Sequence, residues 1–183
     1  MRRKSHILLG KYIIEHYMEN TGALHRKLFL FGCIQPDGNP FTYLKGSLRS
    51  RWFHGHHYHN AERFMQRISI RLEKRRRLNL FDSYTFGKLI HYTADAFTYA
   101  HNDAFSGNLF CHRDYEKKLQ DYFLAYLHQN PKPIISPSFS VMETIRMYHQ
   151  EYCTRSQCIL TDSVFAFQIS CCVAALLYSN HLP

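Results

Sequence analysis

The stretch His91-Tyr92-Thr93-Ala94-Asp95-Ala96-Phe97-Thr98-Tyr99-Ala100-His101 decides how the rest of the chain is read. It continues an apolar pattern, Phe86, Leu89, Ile90 and Ala94, with the three-to-four spacing of one helix face, and Asp82 stands where such a helix would be capped. On that helix His91 and Asp95 are four positions apart and point the same way, about one turn from each other. An imidazole and a carboxylate so placed can close on one ion. The spacing recurs in His112-Arg113-Asp114-Tyr115-Glu116, and His101 lies between the two pairs, just before a loop containing Gly107.

Outward from this stretch the periodicity stays helical. Ile7, Leu8, Tyr12, Ile13 and Tyr17 predict a first helix with Ser5 as its N-cap. Further helices are expected over about 23–34, 60–77, 82–101, 115–129, 138–152 and 162–178. The third of the seven puts Ala61, Phe64, Met65, Ile68 and Leu72 on one stripe, with a thick Arg/Lys face opposite. Alternation of the strand kind is missing at any useful length. The chain therefore reads as all-α, a single domain over residues 1–183 built as an irregular bundle of about seven helices. The proline-rich segment 129–137 is read as a loop within it.

Composition limits the function classes. With 183 residues, 45% of them hydrophobic and 15% aromatic, the chain can bury a core and is not disordered. Lys and Arg number 23 against 14 Asp and Glu, and the net charge of +9 attracts phosphate-bearing partners of any kind. Six cysteines without a C-x-x-C pair read as free thiols of a reducing compartment. The first apolar run, Ile7 to Leu9, is too short for a signal peptide. The longest, Val164 to Tyr178, is broken by Gln168 and Ser170 and falls short of the roughly 20 residues of a membrane span. No transmembrane segment and a cytoplasmic location are expected.

Several conspicuous features have ordinary readings. The run Arg71 to Arg77 suits a solvated helix C-terminus, where cations favour the dipole. Cys171 and Cys172 read as small apolar residues of a packed last helix. His16, His128, His149 and His181 have no partner at ligand spacing, and His25 reads as a core histidine or as a hydrogen-bond donor behind a ligand.

Two more pieces lie upstream of the central stretch: Pro36-Asp37 and the run His54-Gly55-His56-His57-Tyr58-His59. A set this rich in imidazole and this poor in carboxylates suits zinc better than magnesium or calcium. Two zinc ions about 3.5–4 Å apart can activate a shared water near neutral pH and neutralise the oxygens of a phosphodiester.

The order His6, Pro36-Asp37, Gly55-His56-x-Tyr58, His91-x-x-x-Asp95, His101 and His112-x-x-x-Glu116 resembles the zinc-dependent phospholipase C family, whose fold is shared with the fungal-type single-strand nucleases. The resemblance covers about residues 5–127. It implies up to three zinc ions in an all-helical bundle that cleaves a phosphate ester. Carried over residue by residue, Asp37, His56, His91 and Asp95 would hold one zinc, and His101, His112 and Glu116 a second. His57 takes the place of His56 if the register shifts by one. In the family the carboxylate matching Asp95 bridges to a third ion, which also binds the histidine matching His6. That site is completed by the amino group and carbonyl of an N-terminal Trp. Here Met1 lies only five residues before His6 and no Trp precedes it, so the reading rests on two ions. Asp37 is expected beside the attacking water, as ligand or general base. The implied substrate is a phosphodiester, in a phospholipid or a small phosphate ester, with peripheral contact to a membrane surface. The alternatives are single-stranded nucleic acid, with Phe53, Tyr58 and Tyr99 as stacking partners, and a zinc-binding scaffold without activity.

Overall fold

The computed structural model describes residues 1–38, 58–134 and 140–179. Among them are seven α-helices and no strand: α1 (Arg3–Tyr17), α2 (Ala23–Gly38), α3 (Tyr58–Glu73), α4 (Leu80–Ala96), α5 (Leu109–His128), α6 (Val141–Thr154) and α7 (Ile159–Ser179), with a 3-10 turn at Tyr99–His101. The all-α expectation holds. α4 is buried at almost every position from Asp82 to Ala96, its polar residues Asp82, His91 and Asp95 included. It packs against α1, α2, α3 and α7.

The tightest of these contacts is with α2. A Cβ added at Gly32 would lie 2.1 Å from the Tyr84 carbonyl oxygen, and one added at Gly87 would lie 2.0 Å from the Phe29 carbonyl oxygen. The two backbones touch, with the rings of Phe29 and Phe86 packed beside the crossing at 4.7 Å. This approach brings the last turn of α2, which carries Asp37, next to the His91 end of α4.

Helix ends differ from the sequence reading in ways that matter for the site. Ser5 is not the cap of α1; Arg2 is, and Ser5 is buried within the helix. Asp82 is not the cap of α4 but its N3 residue. Asn79 Oδ1 accepts from the Asp82 N–H at 2.8 Å and Asp82 Oδ2 accepts from the Asn79 N–H at 3.2 Å, a reciprocal capping box. α4 stops at Ala96 instead of running on to His101. The Thr98 hydroxyl donates to the Asp95 carbonyl at 2.9 Å, closing the chain into a turn there. α5 starts at Leu109, six residues before the expected 115, because Asn108 Oδ1 caps the Cys111 N–H at 3.0 Å. His112 and Glu116 therefore share one helix.

The basic run is divided. α3 ends at Glu73, and Arg71 donates twice to Asp82 Oδ1, at 3.1 and 2.8 Å, while Arg75 Nε lies 3.5 Å from Asp82 Oδ2. Two of its arginines thus tie the end of α3 to the start of α4. The apolar last helix is longer than its sequence suggested. Ile159–Tyr178 has the length and composition of a membrane span, yet most of it is buried against α1, α4, α5 and α6. None of the six cysteines forms a disulfide.

Asp162 on α7 joins the far side of the bundle. Its Oδ2 accepts from the Tyr99 N–H and from the Tyr115 hydroxyl, both at 2.7 Å, and its Oδ1 accepts from the Tyr152 hydroxyl at 2.7 Å. Four segments, the 3-10 turn, α5, α6 and α7, meet at one buried carboxylate. Tyr152→Phe keeps the ring and removes one donor. It is expected to lower stability by about 1–3 kcal/mol in urea unfolding, the cost of leaving a buried acceptor unmet.

Candidate metal centre

Donors from four helices and the 3-10 turn converge beside the α2–α4 crossing. His6 (α1), Asp37 (α2), His91 and Asp95 (α4) each offer an atom within 4.8 Å of the others. His91 Nε2 lies 3.2 Å from Asp95 Oδ2 and 3.6 Å from Asp37 Oδ1, and His6 Nε2 lies 3.3 Å from Asp95 Oδ1. The rings of His6 and His91 stack at 4.0 Å. A second group of His101, His112 and Glu116 is equally compact. Glu116 Oε1 is 3.3 Å from His101 Nε2 and 3.5 Å from His112 Nε2. The groups adjoin through Asp95, whose Oδ2 is 3.5 Å from His101 Nδ1.

The orientation of His91 says what belongs between these atoms. Its Nδ1 is 2.8 Å from the Cys33 carbonyl oxygen, which can only accept, so Nδ1 carries the proton. In the neutral ring Nε2 is then a lone pair, aimed at two carboxylate oxygens. With a neutral ring these groups meet as acceptors that a cation among them would join, and a histidine fixed by a carbonyl behind it is the usual arrangement of a metal ligand. His6 adds two buried ring nitrogens that make no hydrogen bond, and Asp37 adds a buried Oδ2 in the same condition. Imidazole and carboxylate in these proportions fit zinc.

A cation does stand here. The buried α-amino group of Met1 lies 2.5 Å from Asp95 Oδ1 and 3.2 Å from Glu116 Oε1, joining the two groups. Burial disfavours its charge, but Asp95, Glu116 and Asp37 outweigh burial and raise its pKa from 8.0 to about 11. Asp95 shows the mirror image: burial would raise its pKa, yet His101, the Met1 amine, His91 and His6 hold it well below the usual carboxylate range. Glu116 is likewise lowered, against the burial effect, by the Met1 amine and by His101 and His112. Burial lowers His101 to about 4 in spite of Asp95, so its ring is neutral at physiological pH, as a metal ligand must be.

Seven of the eight residues read from the sequence as ligands, His6, Asp37, His91, Asp95, His101, His112 and Glu116, come together. His56, with its substitute His57, lies outside the described residues. His6, which the resemblance gave to a separate third ion, shares one group with Asp37, His91 and Asp95. Of the three aromatics expected near the site, Phe53 also falls outside the described residues, Tyr58 stacks on His149 at 3.6 Å, and Tyr99 meets Phe105 and Tyr115 edge to face. His25 bonds Ser83 Oγ at 2.8 Å. The sequence reading set the N-terminal amine aside because no Trp precedes His6, whereas the structure places the Met1 amine between Asp95 and Glu116; the Cys33 carbonyl is a backbone group that no side-chain pattern marks.

A family model described as zinc-dependent phospholipase C matches residues 5–163. The chain belongs to that family. The match continues past Leu127, so membership in the phospholipase C family extends through α6 and into α7 as far as Ser163. No curated protein and no solved structure matches the chain.

Proposed function

We propose that this phospholipase C family member hydrolyses the phosphodiester bond of a phospholipid, with His6, Asp37, His91 and Asp95 holding one zinc ion and His101, His112 and Glu116 another. The observation that carries the reading is the convergence of His91 Nε2 with the Asp37 and Asp95 carboxylates, beside a buried cation that spans both groups. Bound zinc would supply Lewis acidity toward the phosphate and acidify the attacking water. The chain's own residues do the rest. Asp95 is wholly buried and serves as a fixed negative charge between the groups, whereas the Asp37 side chain is 24% exposed, at the solvent side of its group. Asp37 Oδ2, without a hydrogen bond, can take the proton of the attacking water. The Cys33 carbonyl keeps the Nε2 lone pair of His91 turned inward. The surplus of positive charge would draw the protein to anionic lipid surfaces in peripheral contact.

The test is zinc content together with turnover. Purified protein should hold at least two zinc ions per chain and cleave phosphatidylcholine or a chromogenic phosphocholine ester, and Asp37→Asn should keep the zinc while kcat falls by about 10²–10⁴. One ion or none would overturn the reading. Turnover of single-stranded DNA alone would make the chain a nuclease, and zinc without turnover on any of these substrates a scaffold.

A further inference from the structure

His149 on α6 has no partner at ligand spacing in the sequence, but the fold gives it one. Asn102 follows His101 directly and is buried. Its Nδ2 donates to the Ala96 carbonyl at 2.9 Å and to the Thr98 carbonyl at 2.8 Å, gripping the turn that separates Asp95 from His101. Because both of those partners are acceptors, the amide orientation is fixed and Oδ1 needs a donor. His149 Nε2 lies 2.8 Å from that oxygen. Nε2 therefore carries the proton, and Nδ1 presents its lone pair to the Cys153 thiol at 3.8 Å. Tyr58 lies flat on the imidazole at 3.6 Å and Phe97 meets it edge to face at 5.8 Å, so the ring is held from two further elements. Burial, helped by His59, lowers its pKa to about 4 and keeps it neutral.

We propose that His149 is a positioning residue of the metal centre: through Asn102 it fixes the turn after α4 and so sets where His101 stands relative to Asp95. The inference rests on the zinc reading above and adds α6 to the machinery. Asp95 is fixed by its own helix. His101 sits on a 3-10 turn of three residues, too short to hold its place alone, and the Asn102 grip supplies what the turn lacks. Loss of the His149 donor should therefore weaken the His101, His112 and Glu116 group selectively.

The experiment compares the wild type with His149→Phe, which keeps a ring under Tyr58 and removes the donor, and with His149→Gln, which restores an N–H. Stepwise zinc removal by a chromogenic chelator reads each ion separately. Groups hydrogen-bonded directly to a metal ligand typically change affinity by about 10–100-fold, and His149, acting one residue further back through Asn102, is expected at the lower end, about tenfold. His149→Phe is expected to weaken one ion by that factor and leave the other unchanged, and His149→Gln to recover most of the loss. Equal affinities in wild type and His149→Phe, or equal weakening of both ions, would overturn the proposal. Nitrogen NMR of wild-type protein decides the same question should the Phe variant fail to fold or the wild type hold no zinc: a neutral ring protonated at Nε2 supports it, and one protonated at Nδ1 overturns it. Absence of zinc from the wild type would count against the hydrolase reading alone.

Discussion

Asp95→Asn should strip both metal groups at once and reduce turnover by about a thousandfold or more, equivalent to roughly 4 kcal/mol of transition-state stabilisation. The substitution preserves shape and removes one charge. Its effect is large because of where that charge sits: within 3.2–3.5 Å of His91, His6 and His101 and 2.5 Å from the Met1 amine. Zinc analysis and phosphoester assays on the same preparation read the loss. Metal-free protein gives a second readout. There the Met1 ammonium and Asp95 form a buried pair, and breaking such a pair from one side costs about 3–5 kcal/mol. The amine's pKa is raised from 8.0 to about 11, so the pair's contribution is complete below pH 8 and fades as pH climbs towards 11. Metal-free wild type should thus lose stability across that alkaline window in urea titrations, and Asp95→Asn should show a flatter profile from a lower start. An unchanged profile would mean that the amine does not lie against Asp95.

Gly87→Ala should unfold the protein or come close to it, at about 4 kcal/mol or more. The new methyl would lie 2.0 Å from the Phe29 carbonyl oxygen and 2.9 Å from the Cys33 nitrogen, both backbone atoms that no side-chain rotation can move aside. α2 would have to lift off α4, taking the Cys33 carbonyl from His91 and Asp37 from the metal group. Gly10→Ala is the matched comparison. Its methyl meets Leu30 Cδ1 at 3.0 Å and Cys33 Sγ at 3.3 Å, side-chain atoms that can yield, and it sits inside α1. A change below about 1.5 kcal/mol is expected there. The difference between the two urea midpoints checks the argument, and similar values would refute it.

The helical class and the two His-x-x-x-acid pairs were legible because both follow from spacing, whereas His6 and the grouping of the ligands came through the resemblance. Phe86, Leu89, Ile90 and Ala94 mark a helix whatever surrounds it, and His91 with Asp95 must share its face. Helix ends were harder to read. Asn79 and Asn108 cap α4 and α5, but a lone asparagine looks much the same in a loop, and the apolar pattern around Leu109 to Cys111 is too sparse to announce a helix start. Contacts made by the backbone left no trace in side-chain patterns: the Cys33 carbonyl behind His91 and the approach of α2 at Gly32 and Gly87. His149 carries no mark in the sequence for a related reason, since its partner Asn102 is 47 residues away and only the fold brings them together.

The α2–α4 crossing also bears on how this family can vary. Position 33 orients His91 with its carbonyl, an atom that every amino acid possesses. Its side chain answers only to the volume left between Gly10 and the core. Selection for an intact metal centre should therefore tolerate any small side chain at 33 and act instead on 32 and 87, two positions that touch no ion. A comparison that ranks residues by chemical character would look for the site among histidines and aspartates and overlook the two positions whose missing side chains let it assemble.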